Sequence, residues 1–129
     1  MEYQSKMLDN PIILANGFYR GYEYWILNLG THPTAYVRVP HEHKECRKDY
    51  DEIPVACHYG LTYAEPYLYL GEKDYAIGWI IGWDYAHYGD YSGNDRLMFY
   101  EADYKKWTTK EIFKEVKNVI QQLDGVKIK

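Results

Sequence analysis

The sequence predicts an α+β domain: an antiparallel sheet with a C-terminal α-helix packed on one face. Segments rich in aromatic and β-branched residues alternate with Gly, Pro and Asn turns, which is typical of strands. An apolar stripe with helical spacing follows near the C terminus, which indicates one amphipathic helix. The chain of 129 residues suits a single domain, residues 1–129, and is long enough to bury a core.

The N-terminal part predicts a hairpin. Residues 12–15 form a short apolar run, and Asn16-Gly17 is typical of a turn. Residues 18–29 predict a strand, and residues 35–39 predict its partner. Pro40 ends this second strand because proline cannot donate to a ladder.

The middle of the chain predicts a loop and two strands. Residues 41–52 are charged and lack a clear period, so we expect a solvated loop, with a helical turn within it as an alternative. Residues 53–63 predict a strand that breaks at residues 64–66. After a turn at residues 71–74, residues 75–84 form the most apolar segment and predict a central strand.

The C-terminal element is a predicted helix. Thr108 and Glu111 have the spacing of a capping box. Gly125 is expected to end the helix, and residues 97–100 predict one further short strand before it. The apolar stripe consists of Ile112, Val116, Val119, Ile120 and Leu123.

Composition excludes several classes of protein. A net charge of -4 argues against direct nucleic-acid binding, which needs a basic surface. The longest uncharged run, residues 24–37, is too short to cross a bilayer, and the start of the chain lacks a secretory signal. Cys46 and Cys57 are too few for a disulfide framework. We therefore expect a cytoplasmic protein.

Aromatic residues are unusually frequent. The chain has 16 Tyr and 4 Trp, against 28 Ile, Leu, Val and Phe residues together. Because a buried tyrosine needs a partner for its hydroxyl, several should be half-exposed. Such a surface suits stacking on a planar ligand or contact with another protein. Aromatic pairs that only stabilise the sheet are the alternative.

Polar residues follow the most apolar strand. Asp84 could accept a hydrogen bond from His87, which could then bind a ligand phosphate or act as a base. Asp90 could bind a ribose hydroxyl, an amide or a metal, and Trp83 and Tyr91 flank these groups. The alternative is that both aspartates cap turns and that His87 is structural.

A second cluster lies in residues 57–63. In a strand, His58 and Thr62 would share one face, and Tyr63 would lie on the other. His58 would approach His87 if this strand neighboured residues 77–84. The alternative is an ordinary solvated strand face.

Motifs for other chemistries are weak. His41 and His43 could chelate zinc with Cys46, but a solvated loop is the alternative, because no second cluster has zinc-finger spacing. The sequence lacks the glycine-rich phosphate loops and the nucleophile elbow of serine hydrolases.

Three ordered blocks resemble a family of small proteins encoded by phages and prophages. They are residues 36–40 followed by His43, residues 58–63, and residues 79–91, and the resemblance covers about residues 35–91. It implies a phage or prophage origin and a site that contains His58, Asp84, His87 and Asp90, but no particular reaction. Trp83 and Tyr85 replace the family's phenylalanine and cysteine, which should alter packing rather than the polar groups.

The first functional hypothesis is a phage-type binding protein that blunts a host defence. It would capture a nucleotide-like signal or a host protein and would need no cofactor or metal. The alternatives are a small, metal-assisted hydrolase that uses the two histidines and two aspartates, and a protein-contact module without a ligand. The sequence leaves homo-oligomerisation open. The predicted ligand-binding residues are His58, Thr62, Tyr63, Trp83, Asp84, His87, Asp90 and Tyr91.

Overall fold

The structure, a computed structural model, describes residues 10–86 and 106–127. Within these residues, five strands form one antiparallel sheet and one α-helix packs on it, which confirms the α+β class. The sheet order is β1-β2-β3-β5-β4. The elements are β1 (Ile12–Tyr19), β2 (Tyr22–Asn28), β3 (Pro33–Val39), β4 (Tyr63–Gly71), β5 (Asp74–Asp84) and α1 (Thr109–Lys127).

The first hairpin turns later than predicted. β1 continues through Asn16-Gly17, and the turn lies at Arg20-Gly21, where both residues have positive φ. Asn16 donates from Nδ2 to the carbonyl oxygen of Tyr24 at 2.9 Å, and Gly17 lies beneath the Tyr24 ring. These two residues therefore serve cross-strand packing in a strand, although the dipeptide is typical of a turn.

Residues 53–62 do not form the predicted strand. They belong to a connection, residues 40–62, that leaves β3, passes β5 and enters β4 at the far edge of the sheet. The chain turns at His58-Tyr59, and Tyr59 and Gly60 both have positive φ, which no regular strand tolerates. The predicted break at residues 64–66 is instead a bulge in β4, at Pro66.

The strand β5 is internal, as predicted, with β3 on one side and β4 on the other. Its first residues extend beyond β3, which pairs only with residues 79–84. The turn between β4 and β5 lies where it was predicted, and Glu72 and Lys73 adopt positive φ there.

The predicted capping box of α1 is confirmed. The Thr108 hydroxyl accepts the backbone N–H of Glu111 at 3.2 Å, and the Glu111 carboxylate accepts the Thr108 N–H at 3.0 Å. All five residues of the predicted apolar stripe are fully buried. The helix does not end at Gly125 but continues to Lys127. In the described part of the chain, no helix combines the length and apolar character needed to cross a membrane.

The main core lies between α1 and one face of the sheet. α1 contacts β1, β2 and β3, while residues of the connection add Ile53 and Leu61 to the same core. A smaller apolar cluster covers the opposite face, where Trp25, Leu27 and Ile80 are buried. Both faces of the sheet therefore bury side chains.

The sheet curls so that its edges approach each other. Asn10 precedes β1 by two residues, yet its side-chain oxygen accepts hydrogen bonds from the Tyr69 hydroxyl at 2.7 Å and the Glu72 N–H at 3.1 Å. In a flat sheet the edge strands β1 and β4 would lie about 19 Å apart. Two residues span only about 7 Å, so the sheet must be strongly curved.

Gly82 provides a test of packing between strands. A Cβ atom there would lie 2.4 Å from Cδ1 of Tyr36 and 2.8 Å from the Ala35 carbonyl oxygen. We expect Gly82→Ala to lower the free energy of unfolding by about 1–3 kcal/mol or more, because the backbone contact cannot yield. In contrast, Gly125→Ala meets open space within α1 and should stabilise by about 0.5–1 kcal/mol. Urea unfolding measures both, and equal effects would contradict this packing.

Candidate functional site

A cavity of about 250 Å³ opens at the end of the sheet where β5 ends and β4 begins. Four predicted ligand-binding residues line it together: Thr62, Tyr63, Trp83 and Asp84. The sequence analysis missed the other lining residues, which are Leu29, His32, Thr34 and Tyr36. Of the remaining predicted residues, His87, Asp90 and Tyr91 lie outside the described part of the chain.

Strand register brings the polar lining together. Thr34 in β3 lies opposite Asp84 in β5. The Thr62 hydroxyl donates to Oδ2 of Asp84 at 3.3 Å, and the Ala86 N–H donates to Oδ1 at 3.2 Å. The hydrogen bond from the Ala86 N–H is a turn-capping interaction, which the sequence analysis gave as the alternative role of Asp84. The same carboxylate also faces the cavity, so the capping bond fixes its orientation there.

Two tyrosines meet above a glycine in the wall of the cavity. Tyr36 and Tyr63 lie on the strands that flank Gly82, and both are opposite it in register. Because Gly82 has no side chain, the two rings meet edge to face, with centroids 5.2 Å apart. Burial raises the pKa of both phenols, so each is a neutral hydrogen-bonding group at physiological pH.

Thr34 carries a polar atom that the described residues leave unsatisfied. Its side chain is 3 % exposed, and its hydroxyl oxygen has no hydrogen-bond partner among them. Burial raises the pKa of Tyr36 and the Thr34 hydroxyl acts in the opposite direction, but the two groups do not reach hydrogen-bond geometry. A buried hydroxyl without a partner costs about 1–3 kcal/mol. A ligand atom in the cavity could supply the missing bond.

A second cavity, of about 350 Å³, adjoins the first at His32, which lines both. The hydroxyl of Thr31 lies 2.7 Å from Nδ1 of His32 and holds the imidazole in place. Lys106 and Trp107 line the far side, immediately before α1. The remaining lining residues are Leu14, Asn28, Gly30, Thr31 and Pro33.

The predicted ligand-binding residue His58 lines neither of these two cavities. Its ring stacks on Tyr85 at 4.7 Å between centroids and contacts Trp107 edge-on at 5.0 Å. Its backbone N–H donates to Glu115 of α1 at 2.8 Å. Because Asp84 and Tyr85 are adjacent in sequence, their side chains project to opposite faces, and His58 is on the face away from Asp84. The predicted shared face of His58 and Thr62 is therefore wrong.

Trp83 and Tyr85, expected to affect packing alone, also form a polar network. Nε1 of Trp83 donates to the Tyr85 hydroxyl at 2.9 Å, and that hydroxyl donates to the Glu115 carboxylate. Burial, followed by the Glu115 contact, raises the pKa of Tyr85, so the phenol keeps its proton. These residues join β5 to α1.

The expected solvated loop after β3 is partly buried. His43 is 5 % exposed, and Nδ1 accepts the Glu45 N–H at 3.0 Å. Its Nε2 therefore carries the proton and donates to the Leu123 carbonyl oxygen at 2.8 Å. Both ring nitrogens of His43 are occupied, which excludes it as a zinc ligand in this conformation. Residues 10–86 and 106–127 contain no group of three His, Cys, Asp or Glu residues placed to hold a metal.

Comparisons with protein-family models, curated proteins and solved structures found no match to this chain. The arrangement of the cavities is therefore the basis for assigning a function.

Cys57 should react slowly with thiol reagents in the folded protein. Burial, reinforced by the nearby Glu115 carboxylate, raises its pKa from 9.0 to about 12. At pH 8, this higher pKa lowers the thiolate fraction of Cys57 about 1000-fold. In a Cys46→Ala variant, we expect labelling of Cys57 at least about 100-fold slower in buffer than in denaturing urea. The Cys57→Ala variant is the control, because it reports the labelling rate of Cys46 alone. Equal labelling rates for Cys57 in the folded and the unfolded protein would contradict its burial.

Proposed function

We propose that this protein binds a small, nucleotide-like molecule in the cavity lined by Thr34, Tyr36, Thr62, Tyr63 and Asp84. The buried, unsatisfied hydroxyl of Thr34 is the observation that carries the proposal. Buried polar groups normally have partners, and an exception inside a cavity indicates where a ligand atom would bind.

The lining matches the chemistry of a nucleoside. The Asp84 carboxylate accepts hydrogen bonds, which suits a ribose hydroxyl or an exocyclic amino group. Tyr36 and Tyr63 supply aromatic surface, and stacking contributes about 1–3 kcal/mol per base. The cavity volume of about 250 Å³ is slightly below the roughly 300–1,000 Å³ of sites for drug-sized ligands, so the ligand part held there is small.

The biological role that we propose is capture of a nucleotide-like signal of a host defence by a phage or prophage protein. The ordered sequence blocks support it, and Thr62, Tyr63, Trp83 and Asp84 from those blocks line the cavity. The hydrolase alternative has less support because it requires His58 beside Asp84, and the ring of His58 stacks on Tyr85 instead.

Capture of a host protein is the second candidate, favoured by an exposed aromatic surface. We call Tyr67, Tyr69, Tyr75 and Ile77 the hairpin patch. Tyr67 is opposite Ile77, and Tyr69 is opposite Tyr75, so all four side chains project from one face of the β4–β5 hairpin. Their exposed fractions range from 36 % to 68 %. Surfaces of this composition are enriched at protein interfaces.

The Thr34 hydroxyl gives the first proposal a two-sided test. We expect Thr34→Val to raise the melting temperature of the ligand-free protein, because it removes an unsatisfied polar atom. The same change should weaken ligand binding by about 5–10-fold, because it removes a hydrogen-bond partner. Calorimetry with adenosine, AMP, cyclic AMP and ADP-ribose measures the affinity. Thr109→Val, in the first turn of α1, is the matched control.

Unchanged affinity in Thr34→Val would show that the ligand does not bind at the cavity. A lower melting temperature would show that the hydroxyl is already satisfied in the ligand-free protein.

The two candidates depend on different surfaces. If a host protein is the target, Tyr75→Ser with Ile77→Ser should abolish its capture in a pull-down from bacterial lysate while leaving nucleotide binding unchanged. If the nucleotide is the target, the same double variant should retain counter-defence activity in infected cells. Loss of that activity with intact nucleotide binding would favour the protein partner.

A further inference from the structure

We propose that the second cavity, lined by His32 and Lys106, is an anion subsite that holds a phosphate of the ligand. This inference rests on the proposed function and specifies the ligand as a nucleotide rather than a nucleoside. The two cavities share His32 and together provide about 600 Å³. That volume is within the roughly 300–1,000 Å³ typical of small-molecule sites.

The charged groups of the two cavities have opposite sign. Asp84 lines the first cavity, whereas Lys106 lines the second, whose described lining contains no carboxylate. A phosphate would therefore be repelled by the first cavity and attracted by the second. The base or ribose, which can donate hydrogen bonds, is favoured near Asp84. The charge pattern thus selects one orientation for a ligand that has both groups.

A tight turn between β2 and β3 positions the shared wall. The Leu29 N–H donates to the His32 carbonyl oxygen at 3.1 Å, and the Gly30 N–H donates to the Asn28 side chain at 2.7 Å. Gly30 has a φ of 103°, a conformation that favours glycine. Thr31 then fixes the His32 imidazole through Nδ1. The site for the anion is therefore held by backbone geometry as well as by side chains.

Lys106 should contribute to ligand affinity only when the ligand carries a phosphate. It is in the second cavity and not in the first. Loss of its charge should weaken binding of a phosphorylated ligand and leave binding of the corresponding nucleoside nearly unchanged. Lys110, in the first turn of α1, carries the same charge but lines neither cavity, so it is the matched control.

The experiment compares adenosine, AMP and inorganic pyrophosphate by calorimetry. We expect AMP to bind at least 10-fold more tightly than adenosine in the unmodified protein. Lys106→Ala should weaken AMP binding at least 10-fold and adenosine binding less than 2-fold. Lys110→Ala should change neither affinity.

The possible failures are distinct. If adenosine binds and AMP binds no more tightly, or if Lys106→Ala affects both equally, the anion subsite is wrong while the proposed function stands. If only pyrophosphate binds, and Lys106→Ala abolishes it, the subsite stands and the nucleotide-binding proposal fails. If none of the three probes binds, both are overturned.

Discussion

Pairing between β3 and β5 is the constraint on which the rest of the structure depends. It places Thr34 opposite Asp84 and Tyr36 opposite Gly82, and so assembles most of the cavity wall. It also forces the chain to pass β5 and enter the sheet again at its far edge as β4. Residues 40–62 form the connection that makes this crossing. Outside the 3₁₀ helix at Tyr50–Glu52 and a few turns, they lack regular hydrogen bonding, so their backbone needs support from elsewhere.

The helix α1 supplies that support through side chains that bind the connection's backbone. Glu115 accepts the His58 N–H, and Gln122 both accepts from and donates to Ala56, each at 2.8 Å. In return, His43 donates to the Leu123 carbonyl oxygen near the end of α1. The helix therefore packs on β1, β2 and β3 and also holds the connection, which adds Ile53 and Leu61 to the same core.

Features with a local cause could be predicted from the sequence. The capping box and apolar stripe of α1 depend on residues three or four apart, and the structure confirms both. The strand predicted at residues 53–63 was wrong over residues 53–62, because the apolar residues there pack into the core from an irregular segment. Four cavity residues were found because they lie where β5 ends and β4 begins. His32 and Thr34 were missed because only the pairing of distant strands places them beside Asp84.

Recognition of main-chain atoms by α1 also bears on how the protein can evolve. Gln122 contacts the peptide groups of residue 56, not its methyl side chain, and Ala56 is exposed. Many different amino acids can occupy position 56 without loss of these bonds, since every residue except proline offers the same donor and acceptor. Position 56 is therefore free to diversify under selection, while Gln122 of α1, which holds its peptide groups, is not.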